Sequence, residues 1–175
     1  MSKKILITGS EGFIGSHLVE YLVTKGYSVK AFVYYNSFNS IGWLNTLDKK
    51  ILAEVEIYNG DIRNIDSTDI AVKKCNSIIH LASLIGIPYS YDTPQSYVDT
   101  NVKGTTNILQ SALKNNLNNF IHTSTSEVYG NSKKFPISEN NPLIGQSPYA
   151  ASKIAADQIS YSFFCSYDLP VKIIR

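Results

Sequence analysis

A tyrosine and a lysine stand four residues apart in Tyr149-Ala150-Ala151-Ser152-Lys153, inside a stretch with a helical pattern. Residues at this spacing lie on one face of a helix, so the phenol and the ammonium can face the same ligand. A lysine ammonium beside a phenol favours the phenolate form, which can act as a base. The pair could therefore deprotonate a sugar or alcohol hydroxyl, although the same spacing also occurs on solvated helix faces.

Four hydroxyl side chains and one carboxylate follow the fifth apolar run, in the segment Thr123-Ser124-Thr125-Ser126-Glu127. Ligands of open α/β sheets bind beyond the carboxyl ends of the strands, so these groups would meet a ligand there. Serine and threonine at a strand end can also simply cap the backbone. Such a cap does not need Glu127, and this carboxylate favours the interpretation as a site.

Three glycines with the spacing Gly-x-x-Gly-x-x-Gly lie between a strand-like run and a helical pattern, at Gly9, Gly12 and Gly15. Glycine permits a tight turn with positive φ and lets a pyrophosphate approach bare backbone N–H groups at a helix N-terminus. The strand before the motif and the helix after it favour a dinucleotide-binding turn over a purely structural one.

A further candidate contact to a dinucleotide is Asp61, which is followed by Ile62 just after the third strand-like run. Its carboxylate could accept a hydrogen bond from an adenine amino group. It could equally form a turn after Asn59-Gly60. The residues alone leave both interpretations open.

Length and composition limit the classes of function. The 175 residues suffice for one domain with a sizeable core, and 43% hydrophobic with 17% charged residues is typical of globular proteins. The net charge of +2 arises from mixed signs, so no nucleic-acid partner is expected. No apolar run has the length of a membrane span, and the N-terminus lacks the features of a secretory signal. We therefore expect a cytoplasmic protein with no membrane contact.

Cys75 and Cys165 are too few for a disulfide framework, and no cluster of ligating residues predicts a metal. We expect both cysteines to be buried small side chains.

The apolar pattern predicts the elements that position these residues. Strands are expected at residues 4–8, 27–34, 54–58, 77–81, 119–124 and 171–174, and helices at residues 13–25, 94–115 and 149–167. The alternation of strands and helices predicts an α/β fold with a doubly wound parallel sheet covered on both faces. The irregular segment 131–146 is long for a compact domain and is expected to be a functional surface loop.

Together these motifs resemble the extended short-chain dehydrogenase/reductase family, which includes the nucleotide-sugar epimerases and dehydratases. The resemblance spans the chain in family order, through Ile7-Thr8-Gly9, Gly12-Phe13-Ile14-Gly15-Ser16-His17-Leu18, Gly60-Asp61-Ile62-Arg63, His80-Leu81-Ala82, Asn101-Val102-Lys103-Gly104-Thr105 and Tyr149-x-x-x-Lys153. It implies that residues 1–175 form a Rossmann NAD(P)-binding domain, without the C-terminal substrate domain of the family. The implied cofactor contacts are Gly9, Gly12, Phe13, Ile14, Gly15, Asp61, Ile62, Leu81, Ala82, Ser83, Tyr149 and Lys153.

The segment Ser124–Gly130 is similar to the active-site strand end of the nucleotide-sugar 4,6-dehydratases, especially the GDP-mannose type. Residues 32–40, 86–91 and 145–149 look most like the dehydratases of legionaminic-acid-type sugar synthesis, which act on an N-acetylglucosamine nucleotide. The resemblance thus implies a nucleotide-sugar substrate whose product is a 4-keto-6-deoxy sugar.

The resemblance implies four catalytic residues, Thr125, Glu127, Tyr149 and Lys153, and substrate contacts from Ser124, Thr125, Ser126 and Tyr149. Tyr149 would take the proton of the C4 hydroxyl, hydrogen-bonded by Thr125, while hydride passes from C4 to the nicotinamide. Glu127 would then remove the C5 proton, water would leave from C6, and the hydride would return to C6. Glucose-type dehydratases have aspartate where this chain has Ser126, so the acid that protonates the leaving hydroxyl is unassigned.

Three alternatives stay open. A UDP-glucuronate decarboxylase resembles the chain at the same Ser-Thr-Ser-Glu segment, and a nucleotide-sugar 4-epimerase usually lacks a carboxylate at position 127. Because the sugar-binding half of the family does not follow Arg175, the chain could also bind cofactor without catalytic turnover, and we expect no robust activity from residues 1–175 alone.

The second strand ends in Tyr34 and Tyr35, which offer neither an acid for the ribose 2′-hydroxyl nor a cation for a 2′-phosphate. The lack of a cation nearby in the sequence favours NAD, with NADP not excluded. Members of the family often dimerise through two helices of each subunit, which predicts a homodimer through the helices after Pro94 and Pro148.

Overall fold

The computed structural model describes residues 4–132 and 135–175. Its six strands are β1 (Lys4–Thr8), β2 (Ser28–Tyr34), β3 (Val55–Gly60), β4 (Ser77–His80), β5 (Asn119–Thr123) and β6 (Val171–Ile174). They form one parallel sheet in the order β3-β2-β1-β4-β5-β6. The strand order reverses between β1 and β4, which creates a ligand crevice at the carboxyl ends of these strands. The predicted doubly wound Rossmann arrangement is confirmed.

The helices of the described chain are α1 (Phe13–Thr24), α2 (Lys49–Ala53), α3 (Ile65–Val72), α4 (Ile87–Asp92), α5 (Pro94–Tyr97), α6 (Gly104–Lys114) and α7 (Pro148–Tyr167). Short 3₁₀ turns occupy Gly42–Thr46 and Ser126–Tyr129. The sequence pattern misses α2, α3 and α4, because helices of five to eight residues are too short to repeat a helical period convincingly.

The helix expected over residues 94–115 is interrupted. A π-helical segment, Val98–Lys103, lies between α5 and α6. Asn101 is buried inside this segment, and its side chain bonds to residues outside the helix. Such π-helical turns are frequent at functional sites. This segment contributes to the lining of the cleft described below.

Two apolar clusters cover the two faces of the sheet. Side chains of successive strand residues point to opposite faces, and Leu6 and Ile7 accordingly belong to different clusters. Val19 of α1 packs with Ile7 on one face, whereas Ile108 of α6 and Phe163 of α7 pack with Leu6 on the other. The helices therefore hold the strand ends in fixed relative positions.

Helix α7 begins at Pro148, directly before the Tyr149 and Lys153 pair. The hydroxyl of Ser147 accepts a hydrogen bond from the backbone N–H of Ala150 at 3.0 Å, and Pro148 occupies the first turn. This start fixes Tyr149 and Lys153 in the first two turns of a 20-residue helix, and both are buried.

The prediction that both cysteines are buried is wrong for Cys165, which is exposed on α7, and only partly right for Cys75, which is half-buried. The prediction fails for Cys165 because α7 exposes one face along much of its length. Burial raises the pKa of the Cys75 thiol to about 11, so this thiol stays protonated and unreactive.

None of the described helices combines the length and the apolar character that crossing a membrane requires. Within residues 4–132 and 135–175, no three His, Cys, Asp or Glu side chains group as metal ligands.

Candidate active site

A cleft of about 990 Å³ opens at the carboxyl ends of β1, β2, β4 and β5. Of the residues expected at the cofactor, the substrate or the chemistry, all but Ser126 line this cleft. They are Gly9, Gly12, Phe13, Ile14, Gly15, Asp61, Ile62, Leu81, Ala82, Ser83, Ser124, Thr125, Glu127, Tyr149 and Lys153. Residues from α1, α7, the 3₁₀ turn Ser126–Tyr129 and the loops after β1, β3, β4 and β5 thus line one cleft.

The glycine turn forms the floor of the cleft. Gly9 has φ of +69°, and a Cβ there would lie 2.8 Å from the backbone nitrogen of Ala82. A Cβ at Gly15 would overlap the carbonyl oxygen of Gly9, so α1 can approach the turn only because Gly15 has no side chain. No side chain caps the N-terminus of α1 at Gly12. The first amides of this helix are therefore available to an anion such as a pyrophosphate.

The wall formed by the residues after β4 is tied to β1. The Thr8 hydroxyl accepts from the backbone N–H groups of Leu81 and Ala82, both at 3.1 Å, and contacts His80 Nδ1 at 2.7 Å. Burial holds the pKa of His80 well below its usual range, so this histidine is neutral and serves as a structural link.

Asn101 connects this wall to the helix of the candidate catalytic pair. Its amide nitrogen donates to the Leu84 carbonyl and to the Ser152 hydroxyl, both at 2.9 Å. Its oxygen accepts from the Leu84 backbone N–H at 2.8 Å and from the Ser83 hydroxyl at 3.0 Å. Reasoning from the residues gave Asn101 no role, although a polar residue inside a predicted buried helix is a signal that could have identified it.

Asp61 lines the cleft and is bound by Arg63. The Asp61 carboxylate accepts from the guanidinium of Arg63, with contacts of 2.6 to 3.0 Å, and from the Arg63 backbone N–H at 2.8 Å. Burial works to raise the pKa of this carboxyl, but the hydrogen bonds from Arg63 outweigh it and hold the pKa below its usual value. The same guanidinium donates to the Tyr34 hydroxyl at 3.0 Å. The sequence just after β2 contains no cation, but the fold brings the Arg63 guanidinium to the end of this strand.

Tyr149 and Lys153 both lie in the cleft wall and are only 7% and 4% exposed. The Tyr149 ring packs edge-to-face against Tyr97, with ring centroids 6.2 Å apart. The Lys153 ammonium donates to the backbone carbonyl of Thr123, at the end of β5, at 2.7 Å. Burial lowers the pKa of Lys153 to about 8, so its charge costs free energy that a bound ligand can recover.

The segment after β5 supplies the hydroxyls and the carboxylate. Thr125 caps the 3₁₀ turn that follows, because its hydroxyl accepts from the backbone N–H of Glu127 at 3.2 Å. The exposed Glu127 lines the cleft beside Thr125. Ser126 is also exposed but does not line the cleft, because the strand has already ended and its alternation no longer directs this side chain inward.

A buried charge lies beneath Ser124. Its hydroxyl donates to Asp157 Oδ2 at 2.9 Å, and the Arg175 guanidinium donates to the same oxygen at 3.0 Å. Burial lowers the pKa of His122, which lies 3.3 Å from the other oxygen, so the counter-ion of Asp157 is Arg175. This group fixes the Ser124 side chain at the cleft wall.

Replacing Lys153 by methionine is expected to change how stability depends on pH. Between pH 8 and 10.5, the unfolded chain binds the lysine proton that the folded chain has lost, so the free energy of unfolding rises with pH in this window. Lys153→Met removes this rise and stabilises the ligand-free chain by about 1–3 kcal/mol at pH 7. Urea unfolding from pH 7 to 10 measures both effects.

The matched control is Lys172→Met, because Lys172 is exposed at β6 and its ammonium donates to the Asn119 side chain. It should leave the pH slope unchanged. If Lys153→Met kept the full rise of the free energy of unfolding between pH 8 and 10.5, this rise could not come from the lowered pKa of Lys153.

Comparisons with known proteins identify the family. Residues 6–175 match the family model described as GDP-mannose 4,6 dehydratase. Protein CapI of Staphylococcus aureus is 35% identical over 98% of this chain and 53% of its own length. The dTDP-glucose 4,6-dehydratase of Streptomyces venezuelae, crystallised with NAD, is 30% identical with a TM-score of 0.83, over 97% of this chain and 54% of that one.

An epimerase is equally similar in structure. The UDP-N-acetylglucosamine 4-epimerase of Methanobrevibacter ruminantium has a TM-score of 0.89 at 28% identity, over 99% of this chain and 54% of that one. The chain thus spans about half the length of these relatives, which include both dehydratases and epimerases of nucleotide sugars. The chain belongs to the GDP-mannose 4,6-dehydratase domain family, within the extended short-chain dehydrogenase/reductase family of NAD-dependent epimerases and dehydratases.

Proposed function

We propose that this chain is the cofactor-binding half of an NAD-dependent nucleotide-sugar 4,6-dehydratase. The substrate is a UDP- or GDP-linked hexose or N-acetylhexosamine, and the product is its 4-keto-6-deoxy derivative. The observation that carries the proposal is the carboxylate of Glu127 in the same cleft as Tyr149, Lys153 and Thr125. Elimination of water across C5 and C6 needs a base for the C5 proton, and oxidation at C4 needs a second base for the hydroxyl proton.

The glycine turn supports NAD as the cofactor. A Cβ at Gly15 would overlap the Gly9 carbonyl oxygen, so α1 approaches the turn with no side chain at this position. Because the start of α1 is also uncapped, bare backbone is available where a pyrophosphate would rest. The cofactor would be held there by Gly9, Gly12 and Gly15, with Leu81 and Ala82 along one side. When bound, NAD would accept a hydride from the sugar and return it later in the reaction.

Residues of the chain handle the protons. Tyr149 takes the proton of the C4 hydroxyl, and Thr125 hydrogen-bonds the same oxygen. The Lys153 ammonium, held by the Thr123 carbonyl and buried like Tyr149, stabilises the phenolate electrostatically. Glu127 then removes the C5 proton, which the neighbouring 4-keto group has acidified. Ser124 and Ser126 are proposed to contact the sugar, Ser124 from a position fixed by Asp157.

A 4-epimerase is the second candidate, supported by structural relatives that are epimerases. This reaction needs the tyrosine and the lysine but no base at C5, so it would leave Glu127 without a role. A UDP-glucuronate decarboxylase, which releases carbon dioxide, also needs no base at C5 and would leave Glu127 without a role.

The reaction is tested in the complete natural polypeptide that carries residues 1–175, because the relatives are about twice this length. It is incubated separately with GDP-mannose, dTDP-glucose, UDP-N-acetylglucosamine and UDP-glucuronate. We expect a 4-keto-6-deoxy product from GDP-mannose or from UDP-N-acetylglucosamine, and turnover of dTDP-glucose alone would refute the assigned nucleotide. Carbon dioxide from UDP-glucuronate, or a 4-epimer without loss of water, would refute the dehydratase. The 175-residue chain alone is expected to bind NAD⁺ without turnover, and measurable turnover by it would refute that part.

Two copies of the chain are proposed to pair through the helices that follow Pro94 and Pro148. Sedimentation equilibrium of the 175-residue chain distinguishes a dimer from a monomer.

A further inference from the structure

Glu11, between the first two glycines of the turn, is held on three sides. Its Oε1 accepts from the backbone N–H of Tyr34 at 3.0 Å, at the end of β2. Its carbonyl accepts from the Trp43 N–H at 2.9 Å. A Cβ at Gly42 would lie 2.5 Å from this carbonyl oxygen, so the turn after Ile41 closes tightly on Glu11. The carboxylate is therefore fixed between the glycine turn and β2.

The second carboxylate oxygen of Glu11 is unused. Oε2 is buried and has no hydrogen-bond partner in the described part of the chain, although Glu11 lines the cleft. Buried carboxylate oxygens in native proteins are almost always hydrogen-bonded, and those that are not call for an explanation. A ligand in the cleft that carries hydroxyl donors would satisfy this oxygen.

The neighbouring charges favour a neutral donor. Tyr34 and Tyr35 end β2 without the carboxylate that usually receives a ribose diol, and Glu11 brings a carboxylate to the same strand end from the other side. The facing cation, Arg63, is already committed to Asp61 and to the Tyr34 hydroxyl. A phosphate at this point would meet the Glu11 carboxylate with no free cation among the described residues lining the cleft near it to compensate it.

We propose that Glu11 receives the adenosine ribose diol of the cofactor and selects NAD over NADP. The proposal rests on the cofactor assignment above. Glu11 replaces the acidic residue that is missing after β2. Its carboxylate accepts a hydrogen bond from a ribose hydroxyl and repels a 2′-phosphate. Arg63 holds Asp61 and Tyr34 in place and is not a phosphate ligand.

The test is calorimetric titration of the 175-residue chain with NAD⁺ and with NADP⁺. We expect the wild-type chain to bind NAD⁺ more tightly. In Glu11→Gln, the Kd for NAD⁺ should rise about tenfold, because a charge-assisted hydrogen bond becomes a neutral one. The Kd for NADP⁺ should fall or stay constant, because the repulsion has been removed. Glu54→Gln, which removes the same charge from an exposed residue outside the cleft, should change neither constant.

The outcomes separate the two levels of the proposal. A wild-type chain that binds neither dinucleotide refutes the cofactor assignment itself. A wild-type chain that binds NAD⁺, with an unchanged ratio of the two constants in Glu11→Gln, refutes only the role of Glu11. Tighter wild-type binding of NADP⁺, lost in Arg63→Ala, would instead make Arg63 a phosphate ligand. Thermal melting of each variant checks that it folds, and Glu11→Asp serves as a second variant with the charge retained.

Discussion

Exchanging Glu127 for glutamine is expected to stop the elimination step, lowering the rate of 4-keto-6-deoxy product formation by about 10²–10⁴-fold. The amide keeps the size of the side chain but cannot accept the C5 proton. When the complete polypeptide is incubated in heavy water, solvent deuterium should enter C5 of the sugar with the wild-type protein and not with the Glu127→Gln variant. Nuclear magnetic resonance of the product and of the recovered sugar measures this exchange.

The control for this substitution is Glu139→Gln, which removes one charge from an exposed residue outside the cleft. It should leave both the rate and the exchange unaffected. Normal elimination by Glu127→Gln would show that another group takes the C5 proton, and the dehydratase assignment would lose the observation on which it depends.

Gly15→Ala is expected to weaken NAD⁺ binding by at least about 100-fold, equivalent to roughly 3 kcal/mol. The added methyl group would overlap the Gly9 carbonyl oxygen and approach Ser10 Cα to 2.8 Å. These are backbone atoms, so α1 must move away from the turn that cradles the pyrophosphate. We expect the free energy of unfolding to fall by about 1–3 kcal/mol as well. Calorimetric titration and urea unfolding measure the two quantities.

Gly26→Ala separates a loss of stability from a loss of NAD⁺ binding. Gly26 has a positive φ of +80°, unlike Gly15, and a Cβ there meets nothing within 4 Å. This variant should lose about 1–2 kcal/mol of stability from strain and keep the NAD⁺ affinity of the wild type. If Gly15→Ala bound NAD⁺ as tightly as Gly26→Ala does, the glycine turn would not be the pyrophosphate site.

The strands and the site were predictable from the sequence because their signals are local. Short apolar runs that end in glycine or hydroxyl residues place the strand ends, and parallel strands bring their carboxyl ends to one edge. Gly9, Glu127 and Tyr149 could thus be expected near one another although they lie far apart in sequence. The cleft contains all three.

What could not be predicted depends on contacts distant in sequence. Arg63 reaches Tyr34 across 29 positions, and Asn101 reaches Ser152 across 51. Neither long-range hydrogen bond leaves a periodic mark on the sequence, so these partners could not be predicted, although the position of Asn101 inside a predicted buried helix indicates a polar role there. The partial burial of Cys75 and the exposure of Cys165 are likewise set by how whole helices pack, which composition does not specify.

The amide of Asn101 joins the chain after β4 to the first turns of α7, so hydrogen bonds of one side chain couple two walls of the cleft. If the proposed sugar enters this cleft, we expect these two walls to move together. Loosening the amide, for example with Asn101→Ala, would let the nicotinamide side and the tyrosine drift independently. In the proposed reaction, the distance between the hydride donor and its acceptor would then fluctuate, even with every reacting group still present.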